Sequence, residues 1–200
     1  MLRPLLLTLA VVAAGCTSTP TEPITTGSQS DLAAPADGGP VFFSLRTGEK
    51  VSAADSATTA WDLAFRGTEV RINGGSSGPG AGIGVVVALN YLDVDDALLD
   101  SVAYRRDGEA PCPSGPARSV CTGAGHGWFE TQAVAGGTVV VPIPGRTLLL
   151  RLGDGQGFGK VQFISYYRGA PTVPTAASVP GYYTFDYTID PDGTAFVEDD

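Results

Sequence analysis

Apolar residues along this chain come in short runs, four to eight long, separated by glycine, proline and small polar residues. Runs of that length fit strands better than helices. The pattern predicts strands over residues 41–45, 60–65, 69–72, 83–89, 128–131, 138–141, 147–152, 160–167, 182–187 and 194–197. The clearest hairpin spans 147–167, where Gly153-Asp154-Gly155-Gln156-Gly157 supplies residues that tolerate positive φ. Asp190-Pro191-Asp192-Gly193 is a second turn of this kind. Only 94–102 has a helical period, through Val94, Leu98 and Val102. These elements predict one all-β domain over 40–200, two packed and mostly antiparallel sheets with at most one short helix.

The first forty residues have a different pattern. Arg3 precedes an apolar run over 5–14 that ends in Gly15-Cys16. The run is too short to span a bilayer and reads as a signal peptide over 1–15. Val11-Val12-Ala13-Ala14-Gly15-Cys16 resembles a bacterial lipobox, which makes Cys16 the expected lipidation site and first mature residue. The rival is an ordinary secretory signal cleaved near Ala14. Residues 16–39 are rich in Thr, Ser, Pro, Ala and Gly and read as the lipidated cysteine with a flexible tether. No Asp follows Cys16, which favours the outer membrane or cell surface over the inner membrane. No later segment approaches the roughly 20 apolar residues of a membrane helix.

Charge and cysteines narrow the classes of partner and chemistry. Twelve Lys and Arg face 21 Asp and Glu, a formal net charge of −9, and loss of the signal removes Arg3 as well. Phosphate contacts need clustered cations, so nucleic acid is not an expected partner. Cys112 and Cys121 lie nine apart in a Pro/Gly-rich stretch. In an exported chain this spacing predicts a local disulfide, with a metal pair as the rival. No catalytic constellation emerges. Gly78, Gly80, Gly82 and Gly84 precede a strand-like run and open no helix, so they read as a mobile loop. Asp93-Val94-Asp95-Asp96 lacks the glycine and terminal Glu of a calcium loop and reads as solvated charge near a helix start. His126 is the single histidine, and no Gly-x-Ser-x-Gly elbow accompanies it. No metal site is expected from these residues.

Residues 60–75, Ala-Trp-Asp-Leu-Ala-Phe-Arg-Gly-Thr-Glu-Val-Arg-Ile-Asn-Gly-Gly, resemble the signature of the HmuY family of bacterial haem-binding lipoproteins. Phe42-Phe43-Ser44-Leu45-Arg46-Thr47-Gly48 resembles the family's opening strand. Pro142-Ile143-Pro144-Gly145-Arg146-Thr147, then Asp154-Gly155 and the run from Lys160 to Tyr167, resembles its late hairpin. The resemblance implies a non-catalytic, lipid-anchored haem carrier that passes its cargo to a TonB-dependent outer-membrane receptor. The residues themselves predict structural roles first. Trp61, Leu63 and Phe65 alternate as one strand face, and Arg66 or Arg71 pairs with Asp62 or Glu69.

Well-known family members hold haem iron between two histidines or two methionines, whereas this chain has one His and, once Met1 leaves with the signal, no Met. His126, flanked by Gly125 and Gly127, is therefore the candidate axial ligand, with Trp128 and Phe129 as candidate apolar contacts. A loop histidine ordered by a local hydrogen bond is the rival. Tyr166 and Tyr167 are oxygen donors suited to ferric iron, although packing is the usual role of such strand tyrosines. The same fold binding another hydrophobic ligand or a surface partner protein, without haem, is the alternative function.

Overall fold

The computed structural model describes residues 22–99, 101–109 and 111–192. Cys16, the signal segment and the expected strand at 194–197 lie outside the described residues. Among the described residues eleven strands form: β1 (Thr25–Ala33), β2 (Val41–Ser44), β3 (Glu49–Val51), β4 (Leu63–Arg66), β5 (Glu69–Ile72), β6 (Ile83–Val87), β7 (Phe129–Val134), β8 (Gly137–Pro142), β9 (Thr147–Arg151), β10 (Phe158–Tyr167) and β11 (Pro180–Asp190). They build a five-stranded sheet ordered β1-β11-β10-β9-β6, a four-stranded sheet ordered β3-β2-β4-β5 and the two-stranded β7–β8 hairpin, all antiparallel. The all-β expectation is met.

The two larger sheets face each other through aromatic side chains. Phe43 lies edge-on to Phe185 at 5.3 Å, and Phe65 contacts Tyr183 at 4.7 Å between ring centroids. Leu63, Ile72, Leu148, Leu150 and Val161 complete the same buried cluster. Strand β9 buries Leu148, Leu149 and Leu150 in succession because both of its faces are covered. Leu148 and Leu150 point into the main core, while Leu149 meets Val94 and Leu99 of the segment crossing the outer face. That double coverage explains a continuous apolar run where a half-exposed strand would alternate. Among its described residues the crossing segment has one α-helix, α1 (Asp96–Leu99), within the predicted 94–102, and Asp95 accepts the Leu98 N–H at 3.2 Å. Among the described residues no helix is long and apolar enough to cross a membrane.

Two expectations are corrected. Thr25–Ala33, assigned to the flexible tether over 16–39, forms an edge strand on β11, with Thr25 opposite Ile189 and Leu32 opposite Tyr183. Its register shifts between Gln29 and Leu32, where Asp31 takes a φ of 52° and accepts the Gly169 N–H at 2.8 Å. Little apolar surface is gained apart from Leu32, so backbone pairing holds the strand. The glycine series after β5, read as a mobile loop, is packed closely. A Cβ on Gly78 would fall 2.2 Å from Asn73 Oδ1 and 2.5 Å from Trp61 Cζ2. Glycine is needed there because chain and side chains approach too closely for any other residue.

Candidate site: the groove beneath the β7–β8 hairpin

Strand β10 leaves regular pairing near its end. Its register against β11 shifts between Phe163 and Ser165 and again between Ser165 and Tyr167. Successive residues of a regular strand point to opposite faces, but these irregularities bring Tyr166 and Tyr167 to one side, their rings 5.7 Å apart. The β7–β8 hairpin lies over this end of β10, and the Val140 N–H donates to the Tyr167 hydroxyl at 2.8 Å. Between hairpin, β10 and the Pro171–Val173–Pro174 loop runs a groove of about 530 Å³. Val139, Val140, Val141, Ile143, Ile164 and both tyrosines give it apolar walls, while Arg146, Glu130 and Gln162 supply polar lining.

The His126 loop is fastened to one side of this groove. Arg146 donates to the carbonyls of Gly127 and Gly125, at 3.0 Å for the latter, and so holds both neighbours of His126. Gly125 N–H donates to Phe129 O at 2.8 Å, and Ile143 N–H to Trp128 O at 2.9 Å. The disulfide between Cys112 and Cys121 forms as expected. A Cβ on Gly127 would come within 2.0 Å of the Cys121 carbonyl oxygen. His126 itself is exposed, and its imidazole has no hydrogen-bond partner among the described residues. It is not part of the groove's lining.

The structure separates the three residues that the sequence grouped as a haem contact. Trp128 is only 2% exposed, donates its indole N–H to Thr68 O at 3.0 Å and packs on Phe163, Phe129 and Tyr183. Phe129 is buried with it in the core. Both belong to the protein interior, whereas His126 faces solvent. The sequence reading also passed over Arg146 as a functional residue. Its position immediately before β9 carried no charge pattern to single it out.

The 60–75 stretch makes a second, closed constellation. Trp61 donates to Ser56 O at 3.0 Å, and Asp62 accepts Leu45 N–H and Gly153 N–H, both at 2.7 Å. Asn73 donates to Trp61 O at 2.8 Å and accepts Gly80 N–H at 3.0 Å. Burial pushes the Asp62 carboxyl up to about 6, against the lowering effect of those two N–H groups. Arg71 pairs with Glu69 at 2.7 Å, as one of the expected pairings had it, and Arg118 joins at 3.0 Å. Burial raises the Glu69 pKa, but hydrogen bonds from Arg71 and Arg118 outweigh it and hold the carboxyl below its ordinary value. Arg66 instead donates to Ala36 O. Among the described residues no three His, Cys, Asp or Glu side chains gather to hold a metal ion.

No curated protein matches the chain. The profile of one family, described as HmuY protein, matches residues 39–187. That span runs from before β2 into β11 and holds the closed constellation and the groove, and the chain therefore belongs to the HmuY family, a haem-binding, non-enzymatic family.

Proposed function

We propose that this protein is a lipid-anchored haem carrier held outside the cytoplasm through Cys16, at the outer membrane or cell surface, that passes haem to a TonB-dependent receptor. Membership of the HmuY family over residues 39–187 carries the reading. The groove supports it physically. Its volume of about 530 Å³ lies in the range of small-molecule and cofactor pockets, roughly 300–1,000 Å³, and its valine, isoleucine and tyrosine walls suit a flat apolar ring. Arg146 places a guanidinium on the lining, a partner for an acidic ring substituent. When bound, haem supplies the iron and the conjugated ring; this chain's residues enclose and orient it. His126 is the candidate imidazole ligand, carried on the loop that Arg146 fastens beside the groove.

One histidine and one methionine, Met1, in the whole sequence exclude ligation by two histidines or two methionines of a single chain. That composition favours a second reading, in which the same fold holds another hydrophobic ligand or a surface partner protein without haem. A titration with ferric haem, followed by Soret and visible spectra of the protein and of His126→Ala, separates the two. The carrier reading expects saturable binding and a spectrum altered by His126→Ala. Absence of saturable binding rejects it and leaves the second reading.

A further inference from the structure

Among the aromatic residues of the groove, the hydroxyls of Tyr166 and its neighbours are treated differently. Tyr167 accepts the Val140 N–H, and Tyr183, beneath the groove, donates to Gly67 O at 2.7 Å. Tyr166 is 6% exposed, yet its hydroxyl has no hydrogen-bond partner among the described residues. Tyr166 lines the groove, and its hydroxyl is not among the polar atoms sealed from solvent without a partner in the described residues. Packing alone does not account for this hydroxyl. The Tyr166 ring meets Tyr183 at 5.4 Å and Trp128 at 6.0 Å, contacts that phenylalanine would make without an oxygen left unmatched. The β10 irregularity turns this side chain to the groove beside Tyr167, as bulges next to binding sites commonly re-aim a residue.

We infer that the Tyr166 oxygen is a protein ligand to ferric haem iron from the groove wall, the donor that a chain with one histidine and no second imidazole requires. The inference rests on the carrier reading and deepens it. A phenolate is a hard oxygen donor and a recognised axial ligand of ferric haem. As the Tyr166 oxygen binds, the O–H bond breaks, its proton passes to solvent and the iron stays ferric, so no oxidant or reductant is needed. Tyr167 does not take this part, because its oxygen secures the hairpin through Val140.

The test uses ferric haem with the wild type, Tyr166→Phe, Tyr167→Phe and His126→Ala, read by visible absorption, resonance Raman spectra and affinity. The expected wild-type complex shows a phenolate-to-iron charge-transfer band and tyrosinate Raman modes. Tyr166→Phe loses both and weakens binding by about tenfold or more, equivalent to about 1.4 kcal/mol. Tyr167→Phe and His126→Ala retain the tyrosinate signature. Phenylalanine preserves the packing against Trp128 and Tyr183, and near-UV circular dichroism checks that the core is intact. If wild type and Tyr166→Phe bind haem with the same spectrum and affinity, the Tyr166 assignment is overturned while the carrier reading stands. If the wild type binds no haem, both are overturned.

Discussion

The corner built by Trp61, Asp62 and Asn73 and the groove beneath the β7–β8 hairpin both join aromatic residues to polar atoms, but they finish those atoms differently. In the corner each polar group is used within the fold. Trp61, Asp62 and Asn73 all bond to backbone groups, and Gly78 lets the chain close over the indole. In the groove, valine and isoleucine side chains face open space, Arg146 reaches the lining, and the Tyr166 hydroxyl has no hydrogen-bond partner among the described residues. The contrast separates recognition from function. The stretch that most clearly announces the family is a structural clasp between the sheets, and the surface able to receive a ligand lies elsewhere.

Truncation of the indole tests the closed side most severely. Trp61 is fully buried, touches Phe42 at 4.9 Å and is flanked by chain that only glycine allows so near. Trp61→Ala is expected to cost about 3–5 kcal/mol in chemical denaturation, the range for large aromatic truncations. A loss below about 1 kcal/mol would mean that the corner is not the clasp described here.

The next largest effect concerns Asp62, whose two backbone bonds join the β2 turn to the loop after β9. Its folded-state pKa, raised to about 6 from 3.8, makes folding favour the protonated form. The associated stabilisation is complete below the lower value and lost as pH rises through the upper one. At about 1.4 kcal/mol for each pH unit between them, the loss is roughly 3 kcal/mol. Urea midpoints of wild type and Asp62→Asn, compared from pH 3.5 to 7.5, isolate this contribution. The wild type's stability relative to the variant is expected to fall across that interval. Glu69 acts with the opposite sign, its stabilisation lost as pH falls, but it is common to both proteins and cancels. A flat difference would show that the two N–H groups hold Asp62 ionised despite its burial.

How far the sequence anticipated these two regions follows from the physics of each. Alternation at Trp61, Leu63 and Phe65 is a local signal of a half-covered strand, and the structure buries all three. The apolar run at Leu148, Leu149 and Leu150 gave a strand without revealing that two different clusters would receive it. Strand β1 escaped because Thr25–Ala33 has almost no apolar alternation, and the backbone pairing that orders it has no signature in side-chain pattern. At the candidate site, His126 was conspicuous as the single histidine, and sequence adjacency grouped Trp128 and Phe129 with it, whereas the structure buries both rings. The predicted strand over 128–131 was the available clue that these rings turn inward. The shared side of Tyr166 and Tyr167 was not legible, because it depends on irregular pairing that breaks the period of two.

The smallest expected effect on stability is also the sharpest test of the open side. Ile164 is 46% exposed and Val173 is 75% exposed, and both line the groove. Replacing them with similarly sized polar residues, Ile164→Thr and Val173→Thr, removes little buried apolar area and leaves the backbone bonds of β10 in place. Each variant is expected to unfold within about 0.5 kcal/mol of the wild type, as surface substitutions do. For haem held against these walls, the two together should weaken binding about fivefold, equivalent to roughly 1 kcal/mol. Titrations beside denaturation curves separate the two quantities. Weaker binding at unchanged stability would place the ligand in the groove; unchanged binding would move it away from these walls, towards the exposed His126 face. Either result reports on a surface that the fold does not need for its own stability, which is what distinguishes the groove from the Trp61 corner.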